Sequence, residues 1–578
     1  MLPFLNLKKT LSSFRPLSLL GISITLFVFI TSSAILLHRI YKKTLIAVPA
    51  YGGHVDEGII GSPRFINPLL AVTQSDLDMT RLVYSGLMRE DAEGQIVPDL
   101  AESVVESADG LTYTFTLKPD IKFQDGEVIT ADDIVYTIAL VQDETLKSPK
   151  KIEWEGVSVT KVDDQTIVFA LKQPFARFKK IATIGIIPKH IWKDLSITNI
   201  GLSDYNISPI GSGPYKISSV DKKAGIPSQY TLTAFSSGGS NRGYIDSIGI
   251  HIYPNTEDVL KALSKGEVTQ VAAPGSSRAS AIQDSSSLAV LTEPLPRIYG
   301  VFFNQSKNQA LLSSGLRSAL DKSIDRKKII TDALYGYGVP AYSPVPKILQ
   351  RGDEVAKTYS VEEAQALIIA DGWKINQATG LFEKKIGSSV APLKITITTI
   401  GSVPEFEKTA EALKSNWQKL GIQVDIQYYE LGDLNQKVIK SRDYEVLLYG
   451  TVIKTNSDLY AFWHSSQIKD PGLNLSVYAN TKVDKALDTM RGSAKEEELA
   501  ESTKILTSEI AKDNPALFIY TPEFIYISSK KISGINLSGI ISPEDRFNNV
   551  SEWYINTENI WSGLKNIELL KKLQDRIH

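Results

Sequence analysis

Few residues of this chain have the types and spacing that catalysis requires. The sequence contains no cysteine, which excludes thiolate nucleophiles, disulfides and Cys-ligated metal ions. The six histidines never lie within five residues of one another. Gly211-Ser212-Gly213-Pro214 lacks the spacing of a hydrolase nucleophile elbow, and Gly336-Tyr337-Gly338 does not open a helix as a dinucleotide-binding turn would. We therefore predict no catalytic residues, no metal site and no cofactor, and interpret the chain as a binding protein.

The charge of the chain is unevenly distributed. Its 578 residues carry 63 Lys and Arg against 65 Asp and Glu. Residues 1–43 hold six of the basic side chains and no acid, so the remainder is mildly acidic. An acidic body repels phosphates, which argues against nucleic acid as a partner. At about 100 to 200 residues per domain, the length suggests three or four folding units.

An uncharged stretch near the start predicts a membrane anchor. Residues 16–37 are 22 positions without a charge, and about 20 helical residues suffice to cross a bilayer. The alternative is a cleaved signal peptide, for which Ser32-Ser33-Ala34 is a poor cleavage site followed by more apolar residues. Basic residues flank both ends equally, so their count leaves the orientation open. We predict that the segment is retained.

The clearest elements lie between residues 393 and 450. Alternating apolar residues predict strands at 393–400, 422–426 and 444–450. Helices are predicted between them, at 406–420 by an apolar stripe and at 431–440. This βαβαβ order predicts right-handed crossovers and a largely parallel sheet, with ligands collecting beyond the carboxyl ends of its strands.

A series of short motifs resembles one known family. Asn67-Pro68-Leu69-Leu70, Val83-Tyr84-Ser85-Gly86-Leu87 and Val97-Pro98-Asp99-Leu100-Ala101 stand in the order typical of the oligopeptide- and dipeptide-binding proteins. Further motifs at 109–117, 123–127, 130–135, 187–192, 209–215 and 316–320 continue the match over about 250 residues. The chain resembles a family 5 solute-binding protein, a component of ABC peptide importers.

The resemblance implies a fold and a domain organisation. We expect an α/β, two-lobed flytrap of the type II periplasmic-binding-protein class with an inserted subdomain, preceded by one transmembrane helix. The implied domains are an anchor at 1–43, lobe I at 44–75, 205–290 and 525–578, an insert in lobe I at 76–204, and lobe II at 291–524. The lobe crossings near 293–296 and 521–523 both contain proline and are the predicted hinges.

The resemblance also implies a function. The protein is expected to be a monomeric, extracytoplasmic substrate-binding component held at the cytoplasmic membrane. It would close on an oligopeptide between its lobes and deliver it to permease subunits that work with cytoplasmic ATPases. Nickel chelates and sugars stay open as ligands because a fold does not choose its ligand. The alternative function is enzymatic: a hydrolase anchored at the cell surface.

Candidate ligand contacts follow from the expected cleft. Each is a charged, amide or aromatic side chain near an expected lobe edge or hinge: Arg64, Asn67, Arg297, Tyr299, Asn304, Tyr449, Asp458 and Trp463. Trp463 could equally belong to the core, and Arg297 could be a surface charge. Several family members place an acid soon after the strand that ends here at Gly450, to hold the peptide's amino terminus. In this chain no acidic residue lies between Gly450 and Asp458. The resemblance therefore does not imply that contact, or strict peptide specificity, for this chain.

Overall fold

Alternating and helically spaced apolar residues build an α/β fold in the computed structural model. The structure describes residues 16–91, 93–175, 177–238, 242–349, 357–386, 389–453, 458–493 and 495–561. The chain divides into two units, one of residues 1–53 with 554–578 and one of residues 54–553.

The smaller unit joins the two ends of the described chain. It contains helix α1 (Pro16–Thr44), strand β1 (Leu45–Ala50) and strand β23 (Asn556–Trp561). The two strands are antiparallel, with Leu45 opposite Trp561 and Ala50 opposite Asn556. Among the described residues, no helix has the length and apolar content needed to cross a membrane. The predicted transmembrane helix is not supported by this finding.

The larger unit contains the remaining strands. They are β2 (His54–Ile60), β3 (Met88–Glu90), β4 (Ile96–Pro98), β5 (Ala101–Glu106), β6 (Thr112–Leu117), β7 (Val157–Lys161), β8 (Thr166–Leu171), β9 (Tyr215–Lys223), β10 (Ile226–Ala234), β11 (Ser247–Tyr253), β12 (Gln270–Ala272), β13 (Leu288–Pro294), β14 (Arg297–Phe303), β15 (Gly338–Pro340), β16 (Lys374–Ile375), β17 (Phe382–Ile386), β18 (Ser389–Pro392), β19 (Lys394–Ile400), β20 (Gln423–Tyr429), β21 (Val446–Val452) and β22 (Ala516–Ser529).

Its α-helices surround these strands. They are α2 (Gln74–Val83), α3 (Ala131–Gln142), α4 (Phe178–Ile181), α5 (Lys189–Trp192), α6 (Ile197–Ile200), α7 (Thr256–Lys265), α8 (Ser276–Ser280), α9 (Ser314–Lys322), α10 (Arg326–Leu334), α11 (Val361–Ala370), α12 (Pro404–Lys419), α13 (Leu431–Asp433), α14 (Leu459–Trp463), α15 (Thr481–Gly492) and α16 (Glu496–Asp513).

One long strand connects the two halves of the main sheet. The strand order is β20-β19-β21-β14-β22-β12-β2-β11-β10-β9. The first part of β22 pairs with β14 and β15, and its last part pairs with β13 and β12. The change of partners falls around Pro522, whose carbonyl accepts a hydrogen bond from the Leu295 N–H at 3.0 Å. Both predicted hinge segments therefore meet where the two half-sheets join.

The βαβαβ prediction is confirmed. Strand β19 is parallel to both β20 and β21 and lies between them. Because the chain moves from β19 outward to β20 and then back past β19 to β21, right-handed crossovers place α12 and the 431–439 segment on opposite faces. The apolar stripe predicted for α12 is buried, from Phe406 through Leu413 to Trp417. The second predicted helix consists of α13 followed by a π-helical turn at Leu434–Ile439.

A second sheet carries the aromatic core of residues 101–182. Its strand order is β5-β6-β8-β7, entirely antiparallel. Phe178 of α4 lies 5.3 Å from Phe169 and 6.4 Å from Phe115 between ring centroids. This packing fixes α4 and the residue before it, Arg177. The domain boundaries predicted at 75/76, 204/205, 290/291 and 524/525 stay predictions.

A buried ion cluster joins four segments of the larger unit. Arg546 has no exposed side-chain surface and donates to both carboxylate oxygens of Asp78 at 2.8 Å. It also donates from Nε to Glu57 at 3.1 Å, and the Tyr526 hydroxyl donates to the same carboxylate at 2.6 Å. Burial raises the pKa of Glu57, and the Arg546 charge opposes this rise. The cluster thus ties β2, α2, β22 and the 543–547 turn together.

The glycine segment rejected as a nucleophile elbow has a packing role. Ser212 is buried, and its hydroxyl accepts from the Ser85 N–H at 3.4 Å. Gly213 N–H donates to the Val83 carbonyl at 2.8 Å, and a Cβ on Gly211 would lie 2.1 Å from that same oxygen. The glycines therefore allow this backbone to lie directly against the end of α2.

Candidate functional site

The candidate site begins at the carboxyl edge of the parallel strands β19, β20 and β21. Strand β14 runs antiparallel to β21, so Arg297 at its start pairs with Val452 at the end of β21. Arg297 and Tyr299 share one face of β14 because side chains alternate along a strand. These two predicted contacts are therefore brought together at the sheet edge where ligands of parallel sheets collect.

Tyr299 stands in an aromatic wall. Its ring stacks on Tyr520 at 5.1 Å with an interplanar angle of 17°, and lies 5.2 Å from Phe406. A Cβ on Gly450 would come within 3.1 Å of the Tyr299 ring, so the glycine leaves room for the ring to lie across β21. Burial raises the pKa of Tyr299, which keeps the phenol protonated and able to donate a hydrogen bond.

Tyr449 lies at the same edge but on the other face of the sheet. It pairs with Gly300, whereas Tyr299 pairs with Gly450, so the two side chains leave opposite faces. Its hydroxyl donates to Asn435 at 3.2 Å, in the segment that covers that face. Burial raises the pKa of Tyr449. The two predicted tyrosines therefore do not form one surface.

Asp458 forms an ion pair with Arg177, beside the β5-β6-β8-β7 sheet. Its Oδ1 lies 3.5 Å from Nη1 of Arg177, 281 residues away in sequence. Both side chains are about one third exposed. Arg177 precedes α4, and Asp458 precedes α14 past the lobe II sheet. The pair thus connects the region predicted as the insert with the region predicted as lobe II, and Arg177 was absent from the predicted contacts.

Two predicted contacts follow β2, at the carboxyl edge of its parallel pairing with β11. Arg64 is exposed, its N–H donates to Asp76 at 2.7 Å, and its guanidinium lies 5.6 Å from the Phe65 ring centroid. Asn67 is fully buried. Its amide donates to Asn206 at 3.1 Å and its oxygen accepts from the Leu69 N–H at 2.9 Å. Arg64 therefore remains available to a ligand, whereas Asn67 is occupied in the packing of its lobe.

Asn304 and Trp463 lie away from this edge. Asn304 follows the last residue of β14 and is buried, donating to the Arg442 carbonyl at 2.7 Å. A seven-residue strand separates it from Arg297 by about 20 Å. Trp463 is 2% exposed and packs on Phe302 and Phe518. It therefore lies in the core, which was the alternative interpretation of this residue. The structure thus places both residues in packing contacts, and their prediction as ligand contacts stays a prediction.

Titratable side chains form one further group on the paired strands β2 and β11. His251 Nε2 lies 2.7 Å and His54 Nε2 lies 3.1 Å from the same oxygen of Asp56. Two histidines distant in sequence are therefore neighbours in the fold. Throughout the described ranges, no group of three or more His, Asp or Glu side chains is arranged to hold a metal ion.

Known proteins with similar sequences match nearly the whole chain. The oligopeptide-binding protein AppA of Bacillus subtilis is 27% identical over 517 residues, covering 88% of this chain and 92% of that protein. The nickel-binding protein NikA of Staphylococcus aureus is 21% identical over 463 residues, covering 80% and 88%.

Solved structures of similar fold cover the same region. The ABC transporter substrate-binding protein CtaP of Listeria monocytogenes is 27% identical with a TM-score of 0.72, covering 87% of this chain and 99% of that chain. AppA of Bacillus subtilis in complex with a nonapeptide is 26% identical with a TM-score of 0.62, covering 88% and 100%.

A family model for the bacterial extracellular solute-binding proteins, family 5, middle region, matches residues 95–470. That match spans more than half of the chain and includes Arg177, the aromatic wall residue Tyr299 and Asp458. Together with the α/β fold, this match shows that the chain belongs to family 5 of the bacterial extracellular solute-binding proteins.

Proposed function

We propose that the protein captures oligopeptides between its two lobes and delivers them to an ABC permease, without chemistry on the ligand. The observation that carries the proposal is the sequence similarity to AppA, which extends over most of the chain. The structure of AppA contains a bound nonapeptide. Arg297 and the ring of Tyr299 offer a charge and an aromatic surface at the strand edge. Main-chain hydrogen bonds to an extended peptide tolerate varied side chains, which suits a carrier of many peptides.

Native mass spectrometry tests the ligand class. Full-length protein purified in detergent is expected to carry a ladder of peptide masses that disappears after partial unfolding and refolding. A homogeneous nickel, haem or sugar adduct would contradict the peptide assignment. Hydrolysis of an added peptide, lost when Asp458 is replaced by asparagine, would instead support the surface hydrolase.

Replacement of the aromatic wall residue tests the site. We expect Tyr299→Ala to weaken binding of an equimolar pool of nonapeptides about tenfold or more. Truncation of an aromatic side chain at a binding surface causes some of the largest losses of binding free energy. Titration calorimetry on the full-length chain provides the measurement. Tyr335→Ala removes a ring that is 44% exposed and serves as the matched control. Equal affinities for both variants would place the ligand elsewhere.

We also propose that residues 16–37 are retained as a membrane anchor with the body outside the cytoplasm. The support is the sequence alone, through its 22 uncharged positions between basic flanks. Phe27→Lys with Phe29→Lys is expected to release the protein from carbonate-washed membranes, since a mid-bilayer lysine costs about 3 kcal/mol. Ile152→Lys, at an exposed position of the body, is the control. Recovery of membrane-bound protein that begins after residue 34 would contradict retention.

A further inference from the structure

The ion pair between Arg177 and Asp458 joins two separately packed hydrophobic cores. Arg177 directly precedes Phe178, which is fully buried and lies 4.5 Å from Tyr113 between ring centroids, in the aromatic core of residues 101–182. Asp458 directly precedes Leu459, which is also fully buried and belongs to a cluster whose described members all lie between residues 298 and 520. Each side chain is therefore held in place by its own core. We call the contact the inter-core ion pair, because it spans the two.

The inter-core ion pair is weak enough to form and separate reversibly. Nη1 of Arg177 lies 3.5 Å from Oδ1 of Asp458, and the two side chains are 36% and 29% exposed. Charge-assisted hydrogen bonds of full strength are about 2.7–2.9 Å long, and pairs in contact with water change an equilibrium by about fivefold at most. The pair of Arg546 with Asp78 differs because it is almost completely buried, so its separation would leave unpaired charges inside the protein. The inter-core ion pair can therefore separate without unfolding of either core.

The inter-core ion pair lies close to one of the predicted hinge segments. Ile453, which directly follows β21, donates its N–H to the Pro296 carbonyl at 2.9 Å. Asp458 follows Ile453 by five residues, so the Cα atoms of these two residues are at most about 18 Å apart. The carboxylate that Arg177 contacts is thus near the strand edge where a ligand is expected. A rotation of one core relative to the other about this hinge would change the distance between Arg177 and Asp458.

We propose that the inter-core ion pair holds the ligand cleft closed over a bound peptide, and that its separation accompanies peptide release. The proposal rests on the proposed peptide-binding function and adds to it a control of the residence time. Arg177 and Asp458 act as positioning residues, since neither has to contact the peptide. With an effect of about fivefold or less, the pair adjusts the lifetime of the closed state, and contacts with the peptide itself supply most of the closing free energy.

Release kinetics test the inter-core ion pair. A fluorescein-labelled pool of nonapeptides is bound to the full-length chain in detergent and then chased with the unlabelled pool. We expect Arg177→Gln and Asp458→Asn each to raise the dissociation rate constant about two- to fivefold, and the double variant to be no faster than the faster single variant. Additive effects of the two substitutions would show that the residues act separately, and would overturn the proposal.

Charge rescue and salt distinguish a charge interaction from a general disturbance of the fold. Arg177→Asp alone is expected to accelerate release, and Arg177→Asp with Asp458→Arg to return the rate constant to within about twofold of the unaltered value. In about 0.5 M NaCl the difference between Arg177→Gln and the unaltered chain should shrink, since ions screen a partly exposed pair. Lys307→Gln breaks an exposed ion pair with Asp443 inside the 298–520 region and is the matched control. Equal acceleration by this control would contradict a specific role of Arg177.

A measurement without peptide separates this proposal from the proposed function. The chain has no cysteine, so Ile152→Cys with Ile369→Cys places spin labels at two exposed positions, one in each region that the pair joins. Double electron–electron resonance should show that Arg177→Gln raises the ratio of long to short label distances about two- to fivefold. An unchanged distribution overturns the proposal even if nonapeptides bind. If the distribution shifts and no nonapeptide binds, the peptide-binding function fails and the control of opening by the ion pair stands.

Discussion

Replacing Arg546 by methionine is expected to lower the free energy of unfolding by about 3–5 kcal/mol, because it leaves two buried carboxylates without their cation. Asp78 loses both of its hydrogen bonds from the guanidinium. Within the cluster, Glu57 keeps one hydrogen bond, from the Tyr526 hydroxyl. Urea unfolding followed by tryptophan fluorescence measures the loss. Lys437→Met removes one partner of an exposed pair with Asp433 and is expected to cost less than about 1 kcal/mol.

The loss of unfolding free energy caused by Arg546→Met, here called the stability deficit, should depend on pH. Without the cation, Glu57 loses the main influence that lowers its pKa, while burial and the neighbouring Asp78 carboxylate still raise it, so its pKa rises further above the value of an exposed glutamate. A carboxyl whose folded pKa exceeds its unfolded pKa binds more protons when folded, so the folded state loses stability as pH rises between the two values. We therefore expect a smaller deficit at pH 5 than at pH 8. A deficit equal to that of Lys437→Met at both pH values would show that the cluster contributes no net stability.

Gly211→Ala is expected to destabilise the protein by about 3 kcal/mol or more, at the upper end of overpacking effects. The added Cβ would lie 2.1 Å from the Val83 carbonyl oxygen, a backbone atom that cannot rotate away. That oxygen also accepts from Gly213 N–H and from the Gln124 side chain, so a shift of the segment disturbs several bonds. Gly432→Ala is the control, since a Cβ there meets nothing within 4 Å.

The same denaturant titration measures both glycine variants. Gly211→Ala should move the unfolding midpoint well below that of the unaltered chain, whereas Gly432→Ala should leave it unchanged or slightly raised through higher helix propensity. Coincident midpoints for the two variants would contradict the close approach at Val83.

Local patterns predicted the parts of the fold that depend on local spacing. The three parallel strands and α12 follow from alternation and a helical stripe, and each lies within three residues of its predicted bounds. The π-helical turn at 434–439 was not predictable, because an apolar stripe specifies a buried face but not the hydrogen-bond pattern beneath it. Pairing of strands distant in sequence, such as β22 with both half-sheets, left no local signal.

The candidate site was predictable only in part for the same reason. Arg297 and Tyr299 lie at the start of a strand as predicted, and alternation puts them on one face, while their contact with a ligand stays a prediction. Asn304 lies about 20 Å from Arg297 because it follows the opposite end of the same seven-residue strand. Arg177 could not be found from sequence, since its partner Asp458 is 281 residues distant and neither has a distinctive neighbourhood.

The pairing of β1 with β23 has a consequence for biosynthesis. Leu45 emerges from the ribosome early, but its partner Trp561 follows about 500 residues later. At roughly 5–20 residues per second, synthesis leaves β1 without its partner for about 25 to 100 s. During that interval the strand is an open edge on which chaperones or other chains could act. The β1–β23 pair is therefore among the last parts of the chain to form. It can be complete only after translation has passed residue 561.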